Sequence, residues 1–310
     1  MPFTATTVVT NSMKTSKLLY VAGPTASGKT NLAIALAQHF NTEILSCDSR
    51  QFYQEMRIGT AVPSEAELAE VPHHFVQHRS ITANYSVGDF RREALEKLKT
   101  LFQKHQTIIM VGGSGLYADA VMQGLDEFPE TDPAIRPQLT AIYQQEGIQI
   151  LQDLLREHDL KHYQMVDRNN PHRLIRALEI SLSSGKPYSS FLEKKTTPDF
   201  FNSQTIVIDW ERDALYDRIN RRVELMVEQG LKAEAKGLYA QKTLNALQTV
   251  GYREWFAHFD GKWGEATAIE EIKKNSRRYA KRQSTWFRRY SDATRVKGEE
   301  DPNEIIRTLF

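Results

Sequence analysis

Gly23-Pro24-Thr25-Ala26-Ser27-Gly28-Lys29-Thr30 places four residues between two glycines and follows the second glycine at once with lysine and threonine. That is the pattern of a phosphate-binding loop. Glycines let successive backbone N–H groups converge on phosphate oxygens, a following helix adds the positive end of its dipole, and Lys29 brings a mobile cation. The Thr30 hydroxyl is the expected Mg²⁺ ligand. On its own such a loop reads as a nucleotide site, ATP above all, and proteins that use one this way add an acid at a strand end.

The candidate acid is Asp48, in "EILSCDSRQFY", just past an apolar run at the edge where open α/β sheets hold their ligands. Aspartate in such a place also serves as a turn or helix-cap residue, and on the residue alone both readings stand. Arg218 and Arg222, at i and i+4 of one helical pattern, suit joint contact with an anion or form a solvated basic face. The segment 273–290, "KKNSRRYAKRQSTWFRRY", is dense in Lys and Arg, free of acid and interleaved with Tyr279, Trp286, Phe287 and Tyr290. Basic side chains answer RNA phosphates and aromatic rings stack on unpaired bases. The same composition also describes an amphipathic helix with its aromatics in the core. His73, His74 and His78 lack the cysteines or clustered carboxylates of a metal site and read as packing or loop residues, so no zinc is expected.

Elements that position these residues follow from periodicity. Strands are expected at 18–22, 43–47, 107–111 and 205–210, with helices over 30–40 and 87–104. This alternation predicts a parallel sheet with helices on its faces. After Gly124 the chain turns rich in Pro and acid, and up to about Lys195 only helical periodicity remains, as in the stripe Leu174, Ile175, Leu178 and Leu182. A helical insertion is expected there. Residues 212–290 read as several helices with breaks at Gly230 and Gly251.

The totals exclude some classes. Forty Lys and Arg against 39 Asp and Glu leave a net charge of +1, so any surface for a polyanion must be local. The single cysteine, Cys47, forms no internal disulfide and suits a reducing compartment. No apolar run approaches the roughly 18 residues of a membrane span. The expectation is a cytoplasmic protein that meets no membrane, with residues 1–16 a flexible leader.

In order along the chain, "GPTASGKT", "CDSRQFY", "RIGTAVPS", "VGGSGLY", "PHRLIRALEI", "TVGYREW" and "AKRQSTWFRRY" resemble the tRNA dimethylallyltransferases, also called tRNA isopentenyltransferases. The resemblance implies an α/β fold: a P-loop NTPase-like parallel sheet flanked by helices (17–125 and 204–310), with a helical insertion (126–203) that contacts the tRNA anticodon stem-loop. It implies a monomer that moves a dimethylallyl group from dimethylallyl diphosphate to N6 of adenosine 37, with Mg²⁺ as cofactor. The loop residues Gly23 to Thr30 then hold a departing diphosphate rather than a nucleotide. Asp48 takes the N6 proton, and Thr30, Ser114 and Arg136 complete the catalytic set; Ser114 stands where the family usually has threonine. The tRNA contacts it implies are Asp48, Ser49, Arg50, Gln51, Ser114 and Arg136; His172, Arg173, Leu174, Ile175 and Arg176; Gln248, Thr249, Val250, Gly251, Tyr252 and Arg253; and Lys281, Arg282, Gln283, Ser284, Thr285, Trp286, Phe287 and Arg288. Members with a C-terminal zinc finger differ from this chain, which lacks the cysteines. Prenylation of free AMP, phosphoryl transfer to a nucleotide, and RNA binding without catalysis are the competing readings.

Overall fold

The computed structural model describes residues 16–192 and 195–310, so the leader expected over 1–16 lies, but for Ser16, outside the described residues. In the first half, β1 (Lys17–Ala22), β2 (Ile44–Ser46), β3 (His73–His74) and β4 (Thr107–Val111) alternate with α1 (Lys29–His39), α2 (Glu65–Glu70), α3 (Val87–Leu101) and α4 (Gly115–Gln123). A helical stretch follows: α5 (Ile135–Glu146), α6 (Ile148–His158), α7 (Leu160–Met165) and α8 (Pro171–Ser184). The chain then runs through β5 (Asn202–Asp209), α9 (Arg212–Glu228), α10 (Leu231–Leu238), α11 (Tyr252–Phe259), α12 (Glu265–Phe287), β6 (Thr294–Lys297) and α13 (Pro302–Leu309).

All six strands pair in parallel, in the order β3-β2-β4-β1-β5-β6. Strand period sorts β1 onto both faces. Leu18, Tyr20 and Ala22 pack with Phe90, Ala94 and Leu98 of α3 and Phe287 of α12, whereas Leu19 and Val21 pack with Leu32, Ala33 and Leu36 of α1 and Ile305 of α13. Helices therefore cover both faces, and β1 is buried on both, which is why it reads as an unbroken apolar run.

Sequence periodicity missed two edge strands. The two-residue β3 is too short to show a period, and β6, "TRVK", buries only Val296. Helices α9 to α12 share a second core around Val223, Leu231, Tyr252, Trp255 and Ile272. Gly230 and Gly251, at φ +102° and +97°, sit at the starts of α10 and α11, a backbone region that glycine enters without strain.

The described residues form two compact units, one within 16–122 and 198–310 and one within 123–197. The smaller unit is all-helical and encloses its own core of Leu139, Leu151, Leu155, Leu174 and Leu178. Strand β5 starts at Asn202, ahead of the expected 205. Among the described residues no helix is long and apolar enough to cross a membrane.

Candidate active site

The loop between β1 and α1 turns on its glycines. Gly23 adopts φ +156°, and a Cβ there would lie 2.7 Å from the Ser27 hydroxyl. Ala26 and Gly28 also take positive φ, at +63° and +91°, so the loop curls and delivers the chain to the N-terminus of α1 with its first amides unpaired by the helix. Lys29 folds back to donate to the Pro24 carbonyl at 2.6 Å. Burial lowers its pKa to about 8; the charge of Asp48 opposes that shift and Arg222 adds to it.

Two arginines of α9 brace the same loop. Arg218 Nε donates to the Ala26 carbonyl at 2.8 Å while its guanidinium lies 4.3 Å from the Trp210 ring, and Trp210 in turn donates to the Ser27 carbonyl at 3.0 Å. Arg222 reaches the Thr25 hydroxyl at 3.4 Å. The polar contacts of Lys29, Arg218 and Arg222 are thus all to loop oxygens, and none of the three forms an ion pair among the described residues. Both arginines, at i and i+4, reach the loop from one face of α9.

Asp48 follows β2. Its carboxylate accepts the Arg50 N–H at 3.1 Å, so the turn role of aspartate is present, and the side chain also lines the cavity. Ser114, past β4, accepts the Ser49 N–H at 3.1 Å and shares a 3.0 Å hydroxyl contact with Ser49. Cys47 is fully buried; burial, then the neighbouring Asp48 charge, push its thiol up. Gln51 donates to the Thr60 and Ala61 carbonyls, and Arg50 donates to the carbonyl of Ala246 at 3.1 Å.

Phosphate loop and Asp48 open onto one cavity of about 860 Å³. Its walls include residues 25–31, Asp48, Arg50, Gln51, Gly59, Arg218, Arg222, the segment Thr249-Val250-Gly251, Tyr279 and Gln283. These all belong to the larger unit. Burial, and secondarily the charge of Asp48, raise the Tyr279 pKa to about 12, so its hydroxyl stays protonated.

Other residues of the expected RNA set are distributed by helical geometry. His172, Arg173, Gln248, Arg253, Lys281, Arg282, Thr285 and Arg288 are exposed, while Ser284 and Trp286 are half-buried. Leu174, Ile175, Tyr252 and Phe287 require correction: each is interior and offers RNA nothing directly. A motif of five or more residues on a helix exceeds one turn, so part of it must face inward. Gln283 is buried as well, bridging two loops. Arg136 and Arg176 are half exposed and both donate to the buried Glu179, Arg136 through two bonds of 3.0 and 2.7 Å and Arg176 through one of 2.8 Å. His74 pairs with Glu43 at 2.6 Å.

One residue the sequence reading missed shapes the site. Glu234 of α10 accepts the backbone N–H groups of Arg57, Ile58 and Gly59 at 2.8 to 3.0 Å and the Tyr252 hydroxyl at 2.6 Å. It holds the loop whose Gly59, Thr60 and Ala61 line the cavity. Nothing local in "LKAEAKGL" marks it, because the backbone groups it holds lie some 175 residues away.

A strand, phosphate loop and helix at the carboxyl edge of a parallel sheet, with an acid after β2, the next strand but one, define a P-loop-type α/β protein. Residues 51–290 match the family model of the IPP transferases. The chain is 54% identical to a tRNA dimethylallyltransferase of Christiangramia forsetii over 93% of its length and 96% of the relative's. It superposes on a tRNA isopentenylpyrophosphate transferase of Bacillus halodurans with TM-score 0.70 at 38% identity, covering 95% of this chain and 94% of that one. A eukaryotic dimethylallyltransferase acting on tRNA shares the fold, with TM-score 0.81 at 24% identity over 95% of this chain and 78% of that one. The chain belongs to the tRNA dimethylallyltransferase family.

Proposed function

We propose that this enzyme transfers the dimethylallyl group of dimethylallyl diphosphate to N6 of adenosine 37 in the anticodon loop of tRNA, releasing diphosphate. The observation that carries the reading is that a phosphate loop and Asp48 face one cavity in a chain of this family. As N6 attacks the allylic carbon, the carbon–oxygen bond breaks and its electron pair leaves on the diphosphate. A conjugated exocyclic amine is a weak nucleophile, so Asp48 accepts the N6 proton as the new bond forms. Charge developing on the departing diphosphate meets the loop amides, Lys29 and Arg222, which have no carboxylate to satisfy them. Enclosure in a cavity makes each of these contacts stronger than in water.

The donors present fit Mg²⁺. Thr30 and Asp48 line the cavity with oxygen, yet no cluster of three His, Cys, Asp or Glu exists among the described residues. Such a sparse oxygen set suits a cation that takes most of its shell from substrate phosphates and water. When bound there through Thr30, Mg²⁺ would neutralise part of the diphosphate charge.

The RNA side rests on Asp48, Arg50 and Gln51 at the cavity with Ser49 beside them, on Thr249 to Gly251, and on exposed Lys281, Arg282 and Arg288 of the α12 region. In the helical unit, His172, Arg173, Arg136 and Arg176 supply the anticodon-stem contacts. The target adenine must leave its stack to reach the cavity. A cytoplasmic monomer is the working form proposed.

Purified protein incubated with Mg²⁺, labelled dimethylallyl diphosphate and either unmodified tRNA or AMP tests the reading. Label is expected in tRNA. Label in AMP but not tRNA overturns the acceptor, and label in neither overturns the transfer.

A further inference from the structure

Helix α12 carries a side chain that joins the diphosphate loop to the loop after β4. Gln283 Oε1 accepts the Thr25 backbone N–H at 2.8 Å, and its Nε2 donates to the Gly113 carbonyl at 2.9 Å. The amide is buried, with the residue 6% exposed. Gly113 leaves it no slack: a Cβ there would lie 2.2 Å from Gln283 Nε2. One turn earlier, Tyr279 lies against Ser114, whose hydroxyl holds Ser49 beside Asp48. Both side chains project from the cavity-lining face of α12, four residues apart.

We infer that Gln283 is a positioning residue for the transfer, setting the diphosphate cradle at a fixed distance from the Asp48 loop. The inference rests on the proposed prenyl transfer. A displacement needs leaving group, carbon, nitrogen and base in one alignment, and a misplacement of about 1 Å costs on the order of a hundredfold. Loops after β1, β2 and β4 come from three strands, and strand pairing stops before the site. A bond between the loops themselves must hold their separation. Only a group that donates at one end and accepts at the other satisfies both Thr25 N–H and Gly113 C=O. Glutamine does so without charge, where glutamate would set a second negative group beside a diphosphate. Being interior and already bonded at both ends, Gln283 acts on substrate through Thr25 and not by touching RNA.

The test is Gln283→Met in the full chain, which keeps volume and removes both bonds. With tRNA saturating, kcat is expected to fall about thirtyfold. Affinity for inorganic pyrophosphate with Mg²⁺, measured by calorimetry, is expected to weaken about tenfold, as for a lost buried bond and its misplaced partner. Affinity for tRNA should stay at the wild-type value. Gly113→Ala disturbs the same contact from the other side, so the double variant should be no worse than the worse single one. Wild-type kcat and pyrophosphate affinity in Gln283→Met, or defects that add in the double variant, overturn the inference. So does a loss confined to tRNA affinity, which would make Gln283 an RNA contact. If the wild type labels no tRNA, the proposed function fails on its own, while the pyrophosphate arm still decides this one.

Discussion

The phosphate loop and the arginine pair of the helical unit solve the same problem in opposite ways. Arg136 and Arg176 meet Glu179 within the folded protein, at 2.7 and 2.8 Å, so their charge is compensated before any partner arrives. Among the described residues, Lys29, Arg218 and Arg222 form hydrogen bonds only with loop carbonyls and a hydroxyl, Arg218 also lying on the Trp210 ring. Burial lowers the pKa values of both Lys29 and Arg222, the mark of charge held where water is scarce. A site meant to stabilise a departing anion gains from cations with no carboxylate bonded to them, whereas cations already paired are held in place before RNA arrives. The first arrangement gives up stability for catalysis.

Breaking the catalytic side should give the largest effect. Asp48→Ala is expected to reduce kcat by about a thousandfold, the usual worth of a positioned base, with pyrophosphate affinity changed little. Single-turnover transfer at wild-type rate would remove Asp48 from the reaction. Lys29→Met is expected to lower kcat/KM for dimethylallyl diphosphate about a hundredfold, as for loss of one preorganised charge contact. The contrast predicts no fall in thermal stability for that variant, since it removes a buried charge; a marked drop in melting temperature would break it.

The paired side should respond in stability first. Glu179→Ala leaves two arginines facing each other and is expected to cost about 2 kcal/mol in denaturant unfolding, less than a fully buried pair because both guanidinium groups are half exposed. Burial raises the Glu179 pKa, but the bonds from Arg136 and Arg176 outweigh it and leave it below 4.5. Its stabilisation is therefore complete above the unfolded value and fades as pH falls through the folded one. Wild type should lose stability in that acid range more steeply than the variant.

The smallest effect belongs to Lys29 titration. With a pKa of about 8, the lysine loses its proton across mildly alkaline pH, and KM for dimethylallyl diphosphate should rise roughly fourfold between about pH 7 and 8.5. Lys29→Met should lack that rise. Stability moves the other way: the native state sheds this proton before the unfolded chain does, so the Lys29 contribution favours folding increasingly above about pH 8.

Local chemistry made much of this legible. The spacing from Gly23 to Thr30 marks the loop because glycine and lysine requirements are short-range, and the apolar runs that became β1, β2, β4 and β5 mark the sheet because both faces are covered. Asp48 was legible as an acid at a strand end. Gln283 and Glu234 were legible only as polar residues on helices, because the backbone groups they hold lie at least 170 residues away in sequence. The family motifs also spread a contact label over whole helical turns, which is why Leu174, Ile175, Tyr252 and Phe287 carried one although they pack inward. A motif reports which segment matters; helical phase decides which of its side chains can touch anything.

Cys47 gives the site a built-in reporter. As the chain's single thiol, fully buried one residue before Asp48 and held protonated by burial, it is silent toward alkylating reagents while the end of β2 stays closed. The rate at which such a reagent labels the native protein therefore counts openings of the segment that carries the base, and a ligand that tightens that edge of the sheet should slow the labelling.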